Sequence, residues 1–185
     1  QDHEGLENDE AMLEPLGLID PALDLEEGLV DVQTEQTAGF YTLEEDKFYV
    51  LETEEQSASD QTVIAHEYIH ALQDQHFDLT RMQELPDGKA TVMRALAEGD
   101  ATRIEDIYKD KVLSKAEQAE YEEQSRKESS EATTKLEKEV PPILTALFQS
   151  PYIFGPELVS YLDAKDGGKG IDEAFGEPPT EEVLW

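Results

Sequence analysis

Two histidines and a glutamate stand at a spacing that places their side chains together on one side of a helix. The segment reads His66-Glu67-Tyr68-Ile69-His70. On an α-helix the second histidine lies about 40° round and one turn along from the first, so both imidazoles converge on one point. Glu67, about 100° round from His66, flanks that point. The spacing predicts a metal ion held by His66 and His70, with Glu67 as the general base for a water molecule.

A catalytic zinc ion usually takes three protein ligands and a water, so a third ligand is needed. His76 stands at the last position of the spacing H-E-x-x-H-x-x-G-x-x-H, but Gln73 occupies the place of the glycine that would turn the chain back. If the helix continues through Gln73, His76 rotates toward the apolar side. We then interpret His76 as a core histidine or as one that supports a ligand, and a three-histidine site stays the alternative.

A second helix offers a carboxylate as the third ligand. Glu98 has small residues around it, Ala95, Gly99, Ala101 and Thr102. Small residues let two helices approach until a short carboxylate reaches an ion on the other one. We therefore predict that Glu98 completes the metal site with His66 and His70.

Two aspartates lie close to these residues in sequence. Asp100 is about 200° round from Glu98, so we expect it to be bonded locally or solvated rather than to share the ion. Asp74 lies nearer the face of the histidines than His76. It is a candidate for orienting a ligand imidazole or for pairing with Arg94.

The elements that must position these residues are visible in the pattern of apolar side chains. Alternating aromatic and β-branched residues around a polar turn predict a β-hairpin over 38–52. Ser57, Ser59 and Asp60 are candidate N-caps for a helix that runs to about Phe77 and carries the two histidines. The predicted fold is therefore α+β and mainly helical, with a small sheet before the active-site helix.

The rest of the chain is predicted to be helical around one core. Apolar spacing predicts a helix over 90–108, and the charged segment 112–139 predicts a solvated helix or helical hairpin. Apolar residues return after it until Gly167-Gly168 breaks the helix. We expect a flexible acidic leader at 1–11 and a single domain at 12–185.

Charge and composition exclude several classes of function. The 185 residues include 45 acidic and 14 basic side chains, for a net charge of -31. Such a surplus repels a phosphate backbone and an anionic membrane, so nucleic acid is not an expected partner. The source of this surplus is either adaptation to high salt or a cationic partner or substrate. With no cysteine, any metal must be held by histidine and carboxylate.

Nothing in the sequence predicts a helix that crosses a membrane. The longest uncharged run, 140–156, has 17 residues and contains four prolines, so we do not expect it to be an unbroken membrane-spanning helix. The chain begins at Gln1 without an apolar signal-like stretch. We interpret it as a processed or trimmed form of a longer precursor.

The motifs resemble those of a known family. Residues 66–75, HEYIHALQDQ, with residues 97–101, AEGDA, are similar to the glutamate-ligand branch of the zincin metallopeptidases, the gluzincins. The likeness is in particular to poorly characterised prokaryotic members that are often secreted or membrane-anchored. It covers roughly 12–110 and 141–185. One departure is that related tails tend to carry His-Pro where this chain has Trp185.

The resemblance implies a zinc-dependent peptidase with a zincin-like active-site helix, extracytoplasmic or membrane-anchored in its full-length precursor. Related sites use a tyrosine or histidine as a second donor to the oxyanion, and Tyr152 is the candidate here. The alternative for Tyr152 is a tyrosine packed in the core. A peptide or protein substrate would bind extended along the edge of the 38–52 strands. A catalytically silent metal-binding or protein-interaction domain is the alternative from another class.

Overall fold

The computed structural model describes four stretches of the chain, residues 13–20, 38–51, 56–139 and 141–184. Contacts divide the chain into two compact units, Gln1–Gln36 with Ser125–Phe148 and Thr37–Gln124 with Gln149–Trp185. The predicted single domain at 12–185 stays a prediction, and the leader at 1–11 lies outside the described residues. Every residue of the candidate site lies in the second unit.

An antiparallel hairpin precedes the helices, as the sequence predicts. Strand β1, Gly39–Thr42, pairs with strand β2, Lys47–Val50, and places Tyr41 opposite Phe48. Phe48 meets the ring of Tyr68 edge-on, with 6.5 Å between ring centroids. Because Tyr68 lies inside the histidine motif, the hairpin packs directly on the helix that carries the site.

Helix α1, Ala58–Phe77, carries the histidine motif. The Ser57 side chain accepts a hydrogen bond from the backbone N–H of Asp60, and the Asp60 carboxylate accepts one from the N–H of Ser57. This reciprocal pair satisfies two N–H groups that a helix start leaves free. The helix runs unbroken through Gln73 and is followed by Asp78 in the left-handed conformation, with φ of 54°. The predicted start and end are confirmed.

Helix α2, Asp87–Lys111, packs antiparallel against α1. The direction follows from two hydrogen bonds, from the Tyr108 hydroxyl to Gln61 and from the Gln73 amide to the carbonyl of Ala97. The apolar spacing of the sequence predicts this helix over 90–108, so the observed helix extends three residues further at each end. A buried apolar cluster holds the unit together, consisting of Leu79, Val92, Met93, Leu96, Ala97, Leu158, Val159, Ile171, Ala174 and Phe175.

Three further α-helices follow, α3 at Lys115–Glu139, α4 at Pro142–Asp166 and α5 at Gly168–Gly176. Two short 3-10 helices lie at Leu79–Glu84 and Glu181–Leu184. Helix α3 is the helix predicted for the charged segment, and α4 ends at the predicted glycine break. Within the described ranges, no helix has both the length and the apolar character to cross a membrane.

Helices α2 and α4 touch backbone to backbone where two glycines meet. A Cβ atom on Gly99 would overlap the carbonyl group of Gly155, and one on Gly155 would overlap the carbonyl oxygen of Ala95. At this separation neither position has room for a side chain. The crossing brings Tyr152, three residues before Gly155, toward Glu98, which immediately precedes Gly99.

The architecture is α+β and mainly helical, with a two-stranded sheet before the helices, as predicted. The sheet covers one side of α1 and α2 lies against another. The histidine motif is thus held between the hairpin and the second helix.

Candidate metal centre

The two histidines of α1 form one side of a partly buried cluster. The rings of His66 and His70 lie edge to face, with centroids 4.8 Å apart. Ligand atoms of His66, Glu67 and His70 all lie within 4.8 Å of one another, a grouping that could hold a metal ion. The two imidazoles are 15% and 16% exposed, so the cluster is sheltered and still reached by solvent.

Glu98 of α2 brings a third donor to the same point. Its Oε2 atom lies 3.2 Å from His66 Nε2 and 3.5 Å from His70 Nε2. Bonds of about 2.1 Å at tetrahedral angles separate two ligands of one zinc ion by about 3.4 Å. The two distances from Glu98 Oε2 therefore match the edges of a zinc tetrahedron. Glu67 belongs to the grouping described above, and Glu98 Oε2 lies against the Nε2 atoms of both histidines, so Glu98 and Glu67 are both candidates for the third ligand.

The orientation of His70 is fixed through Gln73. The side-chain amide of Gln73 donates to the carbonyl of Ala97 and to Oδ2 of Asp100, both at 3.1 Å. Since both of these groups accept, the amide oxygen must face His70 Nδ1, which lies 3.0 Å away. Nδ1 then carries the proton of a neutral ring. In that neutral form Nε2, which faces Glu98, would offer its lone pair to a metal ion.

The charges of the cluster stabilise one another in the absence of a metal. Burial would lower the pKa of His66, but hydrogen bonds to Glu105 and Glu98 outweigh it and raise the pKa to about 9. Burial likewise opposes the rise in the pKa of His70, which the hydrogen bond to Glu98 produces. Burial would raise the pKa of Glu98, whereas the two histidines lower it to about 2. A cation that binds here must therefore displace protons from the imidazoles.

Glu67 is held by the hairpin. The backbone N–H of Tyr41 donates to Glu67 Oε2 at 3.1 Å. The Tyr41 hydroxyl donates to Asp74 at 2.7 Å, and burial together with this bond raises the pKa of Tyr41 to about 12. Asp74 also accepts from the N–H of Leu79 at 2.8 Å. Asp74 thus anchors the hairpin, and among the described residues it neither contacts an imidazole nor pairs with Arg94.

Tyr152 of α4 reaches the same cluster. The residue is 57% exposed, so the alternative of a tyrosine packed in the core is wrong. Its hydroxyl end lies among the site residues. Burial of that end, the charge of Glu98 and a hydrogen bond to Glu98 raise the pKa of Tyr152, Glu67 adds to the rise, and Arg94 opposes it. A protonated phenol therefore stands beside the predicted ligand.

His76 lies apart from the cluster. It is exposed near the end of α1, so its interpretation as a core histidine is wrong. The physical reason is that α1 continues through Gln73 and ends at Phe77, which leaves His76 in its last, solvated turn. Within the described residues its nearest ring neighbour is Phe77, with centroids 6.1 Å apart.

Two residues that hold the imidazoles are missing from the sequence prediction. In that prediction Gln73 is considered only because it stands where a glycine would be needed to turn the chain. Gln73 nevertheless follows His70 by three residues, a spacing that brings side chains on a helix together. Glu105 follows Glu98 by seven residues and so lies on the same face two turns on. Asp100 is bonded locally, as expected, and also accepts from Gln73.

Comparison of the chain with protein-family models, with curated proteins and with solved structures finds no match. The function must therefore be inferred from the residues of this site and their geometry.

Proposed function

We propose that the protein is a zinc-dependent peptidase in which His66, His70 and Glu98 hold the ion. The observation that carries the proposal is the spacing of the donor atoms, 3.2 and 3.5 Å from Glu98 Oε2 to the two Nε2 atoms. Two imidazoles and one carboxylate suit zinc, whereas magnesium and calcium prefer oxygen ligands alone. The gluzincin-like motif supports the same assignment.

The remaining polar groups of the site match the needs of peptide hydrolysis. Zinc bound at such a site lowers the pKa of a water molecule and polarises a carbonyl group. Glu67, which is not needed as a ligand, accepts the proton of the attacking water and later delivers a proton to the leaving amine. Tyr152, whose pKa is raised by burial and by the neighbouring carboxylates, donates a hydrogen bond to the oxygen that gains charge.

An extended substrate would bind along the free edge of β1. Ala38 accepts a hydrogen bond from Leu51 at 2.8 Å, so it faces β2. Alternate residues face opposite ways in a ladder, so Gly39 and Tyr41 turn their backbone groups away from β2. The N–H of Tyr41 points to Glu67. A peptide along this edge would either replace Glu67 on that N–H or pair with the other outward backbone groups of β1, and in both cases it would run past the general base.

The test is cleavage of peptide libraries by wild type and Glu67→Gln, with metal content measured in both. Libraries of neutral and basic sequences are appropriate because a protein of net charge -31 disfavours acidic ones. We expect Glu67→Gln to retain zinc and to lose about 10²- to 10⁴-fold in rate, because an amide cannot accept the proton of water. Glu122→Gln, an exposed change on α3, is the matched control and should cleave at the wild-type rate.

Two results would contradict the proposal. One is a wild-type protein that binds one zinc ion per chain and cleaves no peptide in the libraries. The other is a Glu67→Gln variant as fast as wild type. Either result would favour a catalytically silent metal-binding or protein-interaction domain.

A further inference from the structure

The carboxylate of Glu105 is shared between a predicted zinc ligand and a neighbouring helix. Its Oε2 atom lies 3.1 Å from His66 Nδ1. Its Oε1 atom accepts from Lys109 Nζ at 3.2 Å and from the Tyr121 hydroxyl at 3.1 Å. The side chain is 16% exposed. Each oxygen of Glu105 thus has its own partners.

Helix α3 fixes the side of Glu105 that faces away from the histidine. The ammonium group of Lys109 lies over the ring of Tyr121, 4.8 Å from its centroid. The side-chain amide of Gln118 donates to the carbonyls of Lys109 and Leu113 at 2.8 and 3.1 Å. These contacts hold the first turns of α3 against the end of α2. They keep Lys109 and Tyr121 on Oε1 and leave Oε2 for the imidazole.

We propose that Glu105 is a positioning residue for His66 and that Tyr121 of α3 holds Glu105 in place. The inference rests on the proposed function, because it assigns the roles of groups around the same ion. A carboxylate that accepts the Nδ1 proton fixes the tautomer of the ring, directs the Nε2 lone pair to the metal and strengthens that ligand. The first turns of α3 are therefore part of the metal site.

The two imidazoles differ in a way that separates positioning from general stability. His66 is oriented by the charged Glu105, which depends on Tyr121. His70 is oriented by the neutral amide of Gln73, which depends on Asp100. Among the residues that the structure describes, Gln73 forms no hydrogen bond with Glu105 or with α3. A change at Glu105 should therefore alter His66 and leave His70 as an internal reference.

The first measurement is zinc affinity by competition with a chelator. We expect Glu105→Ala to lose about 10- to 100-fold, the usual cost of removing a group that orients a ligand. Glu105→Gln should give an intermediate loss, because its single amide oxygen can accept either from His66 Nδ1 or from Lys109 and Tyr121 but not from both sides. Tyr121→Phe should lose less than Glu105→Ala, since Lys109 remains. Glu122→Gln and the exposed Tyr161→Phe are matched controls and should bind zinc as wild type does.

The second measurement is proton NMR of the protein loaded with Co²⁺, which shifts the Nδ1 protons of both ligand imidazoles away from other signals. We expect the Nδ1 proton of His66 to exchange with water faster in Glu105→Ala, and at an intermediate rate in Glu105→Gln, which keeps one acceptor oxygen. The signal of His70 should stay as in wild type. Loss of both signals together would show that Glu105 supports only the general packing of the site.

The outcomes separate this inference from the proposed function. Equal zinc affinity in wild type and Glu105→Ala would overturn the role of Glu105, even if Glu67→Gln abolishes cleavage. A protein that binds zinc and needs Glu105 for affinity, yet cleaves nothing, would uphold the inference and reject the peptidase. A wild type that binds neither zinc nor Co²⁺ would overturn both.

Discussion

Glu67 and Glu98 are the same amino acid, and their neighbours give them different chemistry. Glu98 contacts two imidazoles, and its negative charge interacts with both of them. Glu67 accepts a hydrogen bond from the backbone of Tyr41 and is left beside the ligand atoms. The contrast supports the proposed roles, with Glu98 as a metal ligand and Glu67 as the general base.

The ligand assignment predicts unequal effects of two substitutions. Glu98→Gln should lower zinc affinity by more than about 100-fold, the upper end for residues that only orient a ligand, because a neutral amide oxygen is a poor zinc ligand. His76→Ala should change it by less than twofold, since His76 is exposed at the end of α1. Competition with a chelator measures both. A larger loss in His76→Ala would instead favour the three-histidine site.

At the scale of elements, the parts with local determinants could be predicted from the sequence. The capping box of Ser57 and Asp60 marks the start of α1, and the four-residue spacing of His66 and His70 sets both imidazoles on one face. These depend on residues within one or two turns. The helix–hairpin order follows from the same kind of local pattern.

The residues that support the imidazoles could not be predicted in the same way. Gln73 meets Asp100, and Glu105 meets His66, only because α1 and α2 pack in one particular register. That register is set by the packing of apolar side chains and by the separation of the helix axes. Neither quantity can be read from helical spacing alone. Tyr152 likewise reaches the site through the crossing of α2 and α4.

The glycine crossing predicts that Gly99→Ala destabilises the protein. The added methyl group would overlap the backbone of Gly155, and overpacking of this kind costs about 1–3 kcal/mol. The better helix propensity of alanine offsets at most about 1 kcal/mol of this cost. Urea unfolding of the metal-free protein measures the change.

A second glycine provides the control. A Cβ atom on Gly168 would meet nothing within 4 Å, so Gly168→Ala should be neutral or stabilise by up to about 1 kcal/mol. If Gly99→Ala is as stable as Gly168→Ala, α2 and α4 do not cross at the separation described.

At the scale of the whole molecule, the net charge of -31 is a source of repulsion that salt can screen. The partly buried contacts between Glu98 and the two imidazoles are screened much less. Salt therefore acts mainly on the repulsion between surface charges, whereas pH acts on the contacts between Glu98 and the two imidazoles. This difference allows the metal site to be observed in the unfolding of the whole chain.

The metal-free protein should lose stability as the pH rises from 6.5 toward and beyond 9. The pKa of His66 is raised from 6.5 to about 9, so its contribution is complete below 6.5 and disappears as the pH passes through 9. The pKa of Glu98 is lowered from 4.5 to about 2, so its contribution is complete above 4.5 and is lost toward pH 2. Thermal unfolding across this range should show highest stability between about pH 4.5 and 6.5.

Repulsion between surface carboxylates does not produce the same alkaline decline. Ordinary carboxyl groups are ionised and lysines are charged throughout pH 7 to 9, so the net charge is nearly constant there. Molar salt should raise stability at every pH and leave the decline in place. A flat profile from pH 6.5 to 9, or a decline that salt removes, would contradict the coupling of His66 to Glu98 and Glu105.

The meeting of Gly99 and Gly155 also limits how this sequence can change over time. In an ordinary core, a large residue can replace a small one if its neighbour becomes smaller in exchange. Here each missing Cβ atom faces main-chain atoms of the opposite helix. Main-chain atoms are the same in every residue, so no compensating substitution exists at the other position. Each of the two glycines must therefore be retained independently of the other, although neither takes part in the chemistry.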